Sequence, residues 1–137
     1  MLHKLLSYKQ TSLAELPIRL MLAAIFIYHG FGKVTRIEGT IGFFTKMGLE
    51  PAVPLAYLAA YGELIGGILI GLGLFTRLAA LNCVVIILVA IFTVHVSQGF
   101  KGMEFQLLIL ASSLQLLMTG SGKVSIDHVL RSKRLAE

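Results

Sequence analysis

Four apolar segments, each long enough to cross a lipid bilayer, take up most of this 137-residue chain. A membrane-spanning helix needs about 20 mostly apolar residues, and the segments cover residues 16–33, 53–75, 78–96 and 103–119. Only 14% of the residues are charged, whereas soluble domains carry about 25% charged residues. The sequence therefore predicts an all-α membrane protein, in which four transmembrane helices form a single-domain bundle over residues 1–137.

Two segments outside these spans are too short to cross the bilayer. Residues 37–50 are amphipathic and contain several glycines, so we expect an outer interfacial or re-entrant segment. Residues 125–137 begin at Ser125, a favourable N-cap, and carry apolar side chains on one side with basic ones nearby. This pattern predicts a short cytoplasmic amphipathic helix on the anionic inner leaflet.

The distribution of lysine and arginine predicts the orientation in the membrane. Short cytoplasmic loops carry an excess of these residues, and an N-terminus inside the cell gives such an excess. The inner set is then Lys4, Lys9, Arg77, Lys123, Arg131, Lys133 and Arg134, and the outer set is Lys33, Arg36, Lys46 and Lys101. We expect a multi-pass protein of the bacterial cytoplasmic (inner) membrane with both termini cytoplasmic. The net charge of +5 then reflects topology and not affinity for nucleic acid.

Several ionisable side chains fall within the spans or at their ends, where such groups are rare and usually face the bundle interior. His29 and Lys33 are four residues apart and share a face of the first helix. Arg19 falls within about 80° of both when each residue turns the helix by about 100°. His95 at the end of the third span and Glu104 at the beginning of the fourth lie on the same side of the membrane as His29. We expect these groups to face one shared polar space.

Glu63 lies about halfway along the second span, beneath that cluster. A charged side chain at the bilayer centre costs about 2.5–3.5 kcal/mol on insertion scales. We expect Glu63 to act in proton transfer, with His29 as the second catalytic residue, or else to form a structural ion pair with Arg19. Small residues let neighbouring helices approach closely. The glycines expected to pack the helices in this way are Gly30, Gly66, Gly67 and Gly71.

Simpler interpretations exist for several of these polar residues. The Lys33 side chain at a helix end also suits snorkelling to the headgroups, and His95 also suits the outer interface. Gln106 and Gln115 fit a role as interhelical hydrogen-bond partners. Cys83 is expected to be an inert buried thiol.

The landmarks of the sequence resemble those of the DoxX family. They are "R...HGFGK" in the first span, "ELIGG.L.GLGLFTR" across the second span and its loop, the histidine that ends the third span, and "G.GKVSID" after the fourth. The matching positions are Arg19, His29, Gly30, Lys33, Glu63, Gly66, Gly67, Gly71, Arg77, Ser125 and Asp127. The resemblance covers nearly the whole chain and implies a four-helix membrane protein.

The same resemblance implies a loose association with redox metabolism. Members of the family resemble the membrane subunit of thiosulfate:quinone oxidoreductases, and others accompany oxidative-stress or quinone-detoxification systems. The sequence shows no additional soluble domain that would supply thiosulfate chemistry. We therefore expect a quinone as the ligand or cofactor.

A quinone needs an apolar slot, hydrogen-bond donors at its carbonyl oxygens and a path for protons. We expect Glu63 and His29 to carry the proton chemistry, with His29 also able to donate a hydrogen bond. The remaining ligand-binding set is Arg19, Lys33, His95 and Glu104. No flavin, iron–sulfur or thiol-pair motif is evident, so we expect electrons to come from a soluble or membrane redox partner.

Two other functions stay open at this point. His29 and His95 on separate helices could ligate a haem b, but two histidines are far from sufficient, and we do not expect one. A non-enzymatic module for small-molecule transport or complex assembly is the other alternative. Four helices are few for a transporter and no inverted repeat is apparent, although a homo-oligomer would enlarge the pathway. The single cysteine excludes a multi-thiolate metal site; we expect no metal and no nucleic-acid partner.

Overall fold

The computed structural model describes residues 13–136, and these are helical apart from short connections. Lys4 and Lys9, on which part of the orientation prediction depends, lie outside the described residues. The α-helices are α1 (Leu16–Thr35), α2 (Ile37–Lys46), α3 (Ala52–Leu72), α4 (Thr76–Ala90), α5 (Gly99–Thr119) and α6 (Ile126–Arg134). A π-helical turn, Ile91–His95, and a 3-10 turn, Val96–Gln98, join α4 to α5.

Three helical stretches are long and apolar enough to cross a membrane: Leu16–Thr35, Ala52–Leu72 and Thr76–Thr119. The last contains 44 residues and would be about 66 Å long if straight, roughly twice the thickness of the hydrocarbon core. The stretch is folded back on itself. This follows from a 3.1 Å hydrogen bond that Arg77 Nη2, near its beginning, donates to the Met118 carbonyl near its end. The prediction of an all-α membrane bundle is confirmed, whereas the number of crossings stays a prediction.

The fold-back occurs at the irregular turns between α4 and α5. The sequence predicts a third span that reaches residue 96, but the regular α-helix ends at Ala90 and gives way to the π-helical turn. Gly99 follows with a φ of 70°, a backbone conformation that glycine adopts at little cost. Short π-helical turns frequently occur at functional sites, and this one ends at His95.

Small residues set the contact between α1 and α3. A Cβ atom added at Gly30 would lie 2.7 Å from the Leu64 Cα, and one added at Gly67 would lie 2.8 Å from the Ile27 backbone nitrogen. Both distances are too short for any larger residue, so the two helix backbones touch at these points. The crossing places Gly30 directly beside the Glu63–Leu64 peptide.

A core of apolar side chains joins α1, α3, α4 and α5. Its largest members include Phe26, Ile70, Ile109 and Leu116, and it also contains the free thiol of Cys83, which is buried as predicted. Many other large apolar side chains point outward and are exposed. Such extensive apolar surface is rare on monomeric soluble proteins and suits contact with a lipid bilayer.

Arg19 lies at the opposite end of α1 from Lys33 and is only 2% exposed. Its Nε donates to the Ile70 carbonyl at 3.1 Å and its Nη2 donates to the Gly71 carbonyl at 2.9 Å. Its Nη1 donates to the carbonyls of Ser121 at 2.8 Å and Val124 at 2.6 Å. The guanidinium thus binds carbonyls in the last turn of α3 and ties them to the segment after α5. Of these, the Ile70 carbonyl also accepts a 3.1 Å hydrogen bond from the Gly73 nitrogen. We call this arrangement the Arg19 lock.

The segment after α5 is held by a second set of contacts. The Asp127 carboxylate accepts hydrogen bonds from the backbone nitrogens of Phe75 at 2.8 Å and Thr76 at 3.0 Å, where α4 begins. A carboxylate is favourable there because helix N-termini carry unpaired N–H groups and partial positive charge. Ser125 accepts a hydrogen bond from the His128 nitrogen, so the predicted N-cap of α6 is confirmed.

Candidate functional site

Glu63 on α3 forms an ion pair with Lys33 on α1. The Lys33 Nζ lies 2.7 Å from Glu63 Oε1 and 2.6 Å from Oε2. The Glu63 side chain is 8% exposed and that of Lys33 is 31% exposed. The suggested structural pair of Glu63 with Arg19 is therefore wrong: the four hydrogen bonds of Arg19 go to backbone carbonyls.

The close crossing of α1 and α3 explains why Lys33 is the partner. Because Gly30 touches the Glu63–Leu64 peptide, Lys33 lies about one helical turn further along α1 than the level of Glu63. A lysine side chain covers that separation easily and places its ammonium group on the carboxylate. Arg19 is eleven residues before Gly30, about 16 Å along the helix axis in the opposite direction.

A large cavity of about 480 Å³ opens on one side of this ion pair, between α2, α3 and α4. Its polar lining residues are Lys33, Glu63, Asn82, Thr93 and His95. The rest of the lining is mainly apolar, and includes Phe43, Phe44, Leu49, Leu55, Leu58, Val85, Ile86 and Val89. Small-molecule sites are typically apolar cavities of about 300–1,000 Å³ with a few convergent polar groups, and this large cavity has that character.

A small cavity of about 170 Å³ lies on another side of the same ion pair, among α1, α4 and α5. His29, Lys33, Glu63, His95 and Gln106 line it together with apolar side chains. His95 Nδ1 and Gln106 Oε1 are buried without a hydrogen-bond partner among the described residues. Buried polar atoms are nearly always partnered. Of the two residues, Gln106 lines only the small cavity and His95 lines both cavities, so Gln106 marks the small cavity as a place that suits a polar guest.

The DoxX family model matches residues 14–96, the part of the chain that carries α1 to α4 and the ion pair. The chain belongs to the DoxX family. It is 38% identical over 128 residues to a Bacillus subtilis (strain 168) protein named "Putative oxidoreductase CatD", covering 92% of this chain and 94% of the relative. It is 32% identical over 130 residues to "Inner membrane protein YqjF" of Escherichia coli (strain K12), covering 91% and 98%. No solved structure gives a significant match.

In this DoxX protein, the predicted site residues fall into separate places. Lys33, Glu63 and His95 meet at the wall that both cavities share. His29 is exposed, lies edge-on to the Tyr28 ring and borders only the small one of these two cavities. Glu104 is exposed and lines neither cavity, so it does not join the shared polar space that the sequence predicts.

The four glycines predicted to pack the helices lie at helix contacts. Gly30 and Gly67 form the α1–α3 crossing described above. A Cβ atom added at Gly66 would lie 3.0 Å from the Asn82 Nδ2 on α4, and one at Gly71 would lie 3.2 Å from the Ala23 Cβ on α1.

Asn82 lines the large cavity and Gln106 lines the small one, and the sequence interpretation gave neither residue that place. Asn82 lines the large cavity and its Nδ2 donates a 2.9 Å hydrogen bond to the Gly62 carbonyl, next to Glu63. Gln106 lines the small cavity, whereas Glu104, which the sequence predicts to face the shared polar space, does not. In each case the sequence shows an amide side chain within a mainly apolar run. The direction in which that side chain points depends on the rotation of the helix about its axis, which the sequence does not give.

The haem alternative would place a ligand between His29 and His95. His29 and His95 both border the small cavity, but its volume of about 170 Å³ is below the roughly 300–1,000 Å³ that drug-sized ligands occupy. A haem is larger than such ligands.

Proposed function

We propose that this DoxX protein binds a quinone in the large cavity and serves as the membrane component of a quinone-linked redox system. The observation that carries the proposal is the Lys33–Glu63 ion pair in the wall of an apolar cavity of about 480 Å³. The name of the Bacillus relative, an oxidoreductase, supports redox chemistry of some kind.

The residues at this wall suit both hydrogen bonding to a quinone and proton transfer to it. A quinone, when reduced, takes up two electrons and two protons at its carbonyl oxygens. The Lys33 ammonium and the His95 imidazole supply hydrogen-bond donors for such an oxygen, and the aromatic and aliphatic lining suits the ring. The Glu63 carboxylate holds or releases a proton beside it, as a general acid–base group must. A redox partner, soluble or membrane-bound, supplies the electrons.

We further propose that the chain crosses the membrane four times with both termini in the cytoplasm. The fold-back of Thr76–Thr119 through the Arg77–Met118 contact supports two crossings within that stretch. The Arg19 lock and α6 would then lie on the cytoplasmic side, and the Lys33–Glu63 pair in the outer half of the bilayer. A homo-oligomer is compatible with this arrangement.

Binding of a short-chain quinone analogue to protein in lipid nanodiscs tests the proposal. We expect Lys33→Met and Glu63→Gln each to weaken binding about tenfold or more, equivalent to about 1.4 kcal/mol. Each variant removes one charged group from the cavity wall. The matched controls are Lys46→Met and Glu38→Gln, which change exposed residues outside the large cavity, and these should bind like wild type.

Two results would contradict the proposal. One is the absence of measurable analogue binding by folded wild-type protein. The other is equal binding by the two site variants and their controls, which would return the chain to the alternative of a transport or assembly module.

A further inference from the structure

The small cavity adds a component that the quinone site alone does not explain. Gln106 lines this cavity and not the large one, and its buried Oε1 has no partner among residues 13–136. His95 Nδ1, on a different element, is in the same condition. His95 lines both cavities, whereas Gln106 lines only the small one of the two, so the unpartnered Gln106 Oε1 is the atom that indicates a hydrogen-bonding guest there.

We propose that the small cavity is a hydrated proton-access chamber, which connects the Glu63 carboxylate to the protein surface at His29. Its volume of about 170 Å³ has room for about five water molecules at roughly 30 Å³ each. A buried water also needs two to four polar partners, by the usual rough measure. The side chains of Lys33, Glu63, His95 and Gln106 provide them.

The two cavities lie on different sides of the same carboxylate. Glu63 is the buried acid that both share, whereas exposed His29 borders the small cavity but not the large one. A proton taken from bulk water at His29 passes along the chamber water to Glu63, and from Glu63 to an oxygen of the ligand in the large cavity. One proton moves and no electron moves with it. This route rests on the proposed quinone site, while the hydration of the chamber does not.

Gln106 has a defined part in this chamber. It is a positioning residue, because it contacts neither the ligand cavity nor the ion pair by any hydrogen bond among the described residues. Its amide would hold chamber water in line between His95 and Glu63. Replacing it with leucine keeps a similar size but removes the groups that bind water.

Water-edited solid-state NMR on membrane-embedded protein labelled in histidine and glutamate side chains tests the chamber. His95→Asn and Glu63→Gln identify the two signals. We expect magnetisation to pass from water to His95 and Glu63 in wild type, and Gln106→Leu to slow this transfer about threefold or more by removing a water-binding group. Gln106→Asn keeps an amide and should retain most of the transfer. Gln115→Leu changes an exposed glutamine on the same helix and should match wild type.

The same samples are assayed for binding of the short-chain quinone analogue, which Gln106→Leu should leave unchanged. Absence of water transfer to His95 and Glu63 in wild type would overturn the chamber, and so would unchanged transfer in Gln106→Leu. Hydration that depends on Gln106, in a protein that binds no quinone analogue, would uphold the chamber and refute the quinone site.

Discussion

The Arg19 lock and the Lys33–Glu63 site each hold a cation from α1, which is buried for Arg19 and partly exposed for Lys33, and they satisfy it in different ways. Arg19 donates to four backbone carbonyls from two segments of the chain, the end of α3 and the residues after α5. Lys33 contacts one carboxylate, and the pair forms a wall of two cavities. The planar guanidinium with its five donors suits the first task, and the compact ammonium group suits the second. A fully partnered charge holds the helices together, whereas a charge beside open space is available to a ligand.

The two regions are about 21 Å apart along α1, because 14 residues separate Arg19 from Lys33. Effects at sites so far apart are expected to add independently. The comparison therefore predicts that stability and ligand binding can be changed separately.

The largest effect is expected for Arg19→Leu. It removes four hydrogen bonds, of which only the Ile70 carbonyl keeps another donor among the described residues, the Gly73 nitrogen. Each remaining carbonyl that stays dry costs about 1–3 kcal/mol. We expect a loss of roughly 4 kcal/mol or more in unfolding free energy, measured by SDS titration in mixed micelles. Arg36→Leu replaces an exposed arginine beyond α1 and serves as the control. A protein within about 1 kcal/mol of wild type would contradict the lock.

A double-mutant cycle on Lys33 and Glu63 comes next. Breaking a buried pair costs about 3–5 kcal/mol, and the 31% exposure of the Lys33 side chain reduces this cost. We expect roughly 2–3 kcal/mol for Glu63→Leu alone and substantial recovery in Lys33→Met with Glu63→Leu. Unfolding free energies of the single and double variants give the coupling.

The same cycle with Arg19→Leu in place of Lys33→Met should show no recovery. Coupling between Arg19 and Glu63 would mean that the assigned partner is wrong. The recovered Lys33–Glu63 double variant should still fail to bind the quinone analogue, since it has lost both polar groups from the cavity wall.

The smallest effect is expected for the glycines of α1. Gly30→Ala places a Cβ atom against the Leu64 backbone and should cost about 1–3 kcal/mol through overpacking, with weaker analogue binding because the helix crossing also sets the Lys33–Glu63 distance. A Cβ atom added at Gly32 meets nothing within 4 Å. Gly32→Ala should therefore leave the unfolding free energy unchanged or raise it by about 0.5–1 kcal/mol, since alanine reduces the conformational entropy of the unfolded chain. Thermal unfolding of the two variants side by side checks the difference. Equal effects would mean that the crossing is not as close as Gly30 indicates.

The sequence predicts the helices better than it predicts their register. Length and apolar character are local properties, so spans that begin near Leu16, Ala52 and Thr76 could be read directly. The Ser125 N-cap is also local. The partner of Glu63 is not, because it depends on how far α3 slides along α1. The relative axial position of the two helices is fixed by the contact of Gly30 with the Leu64 backbone. Counting residues from each helix end does not reveal that contact.

Backbone acceptors explain the other misplaced residue. The sequence groups Arg19 with the polar site because its face of α1 agrees with that of Lys33. Its partners are carbonyls of ordinary residues, such as Ile70 and Val124, which carry no signal in their side chains. A charged residue that binds the main chain leaves no mark in the side chains of its partners, so the sequence does not indicate those partners.

The π-helical turn at Ile91–His95 makes the site depend on the number of residues before it. Each residue of an α-helix rotates the following side chains by about 100°, and a π-helical turn accommodates one more residue than an α-helical turn. Deleting a single residue between Ile91 and His95 would let the turn relax to α-helix and would swing His95 away from Glu63. Related chains should therefore vary in residue type along this turn more readily than in its length. An alignment gap placed here would mark a protein that has lost the shared cavity wall.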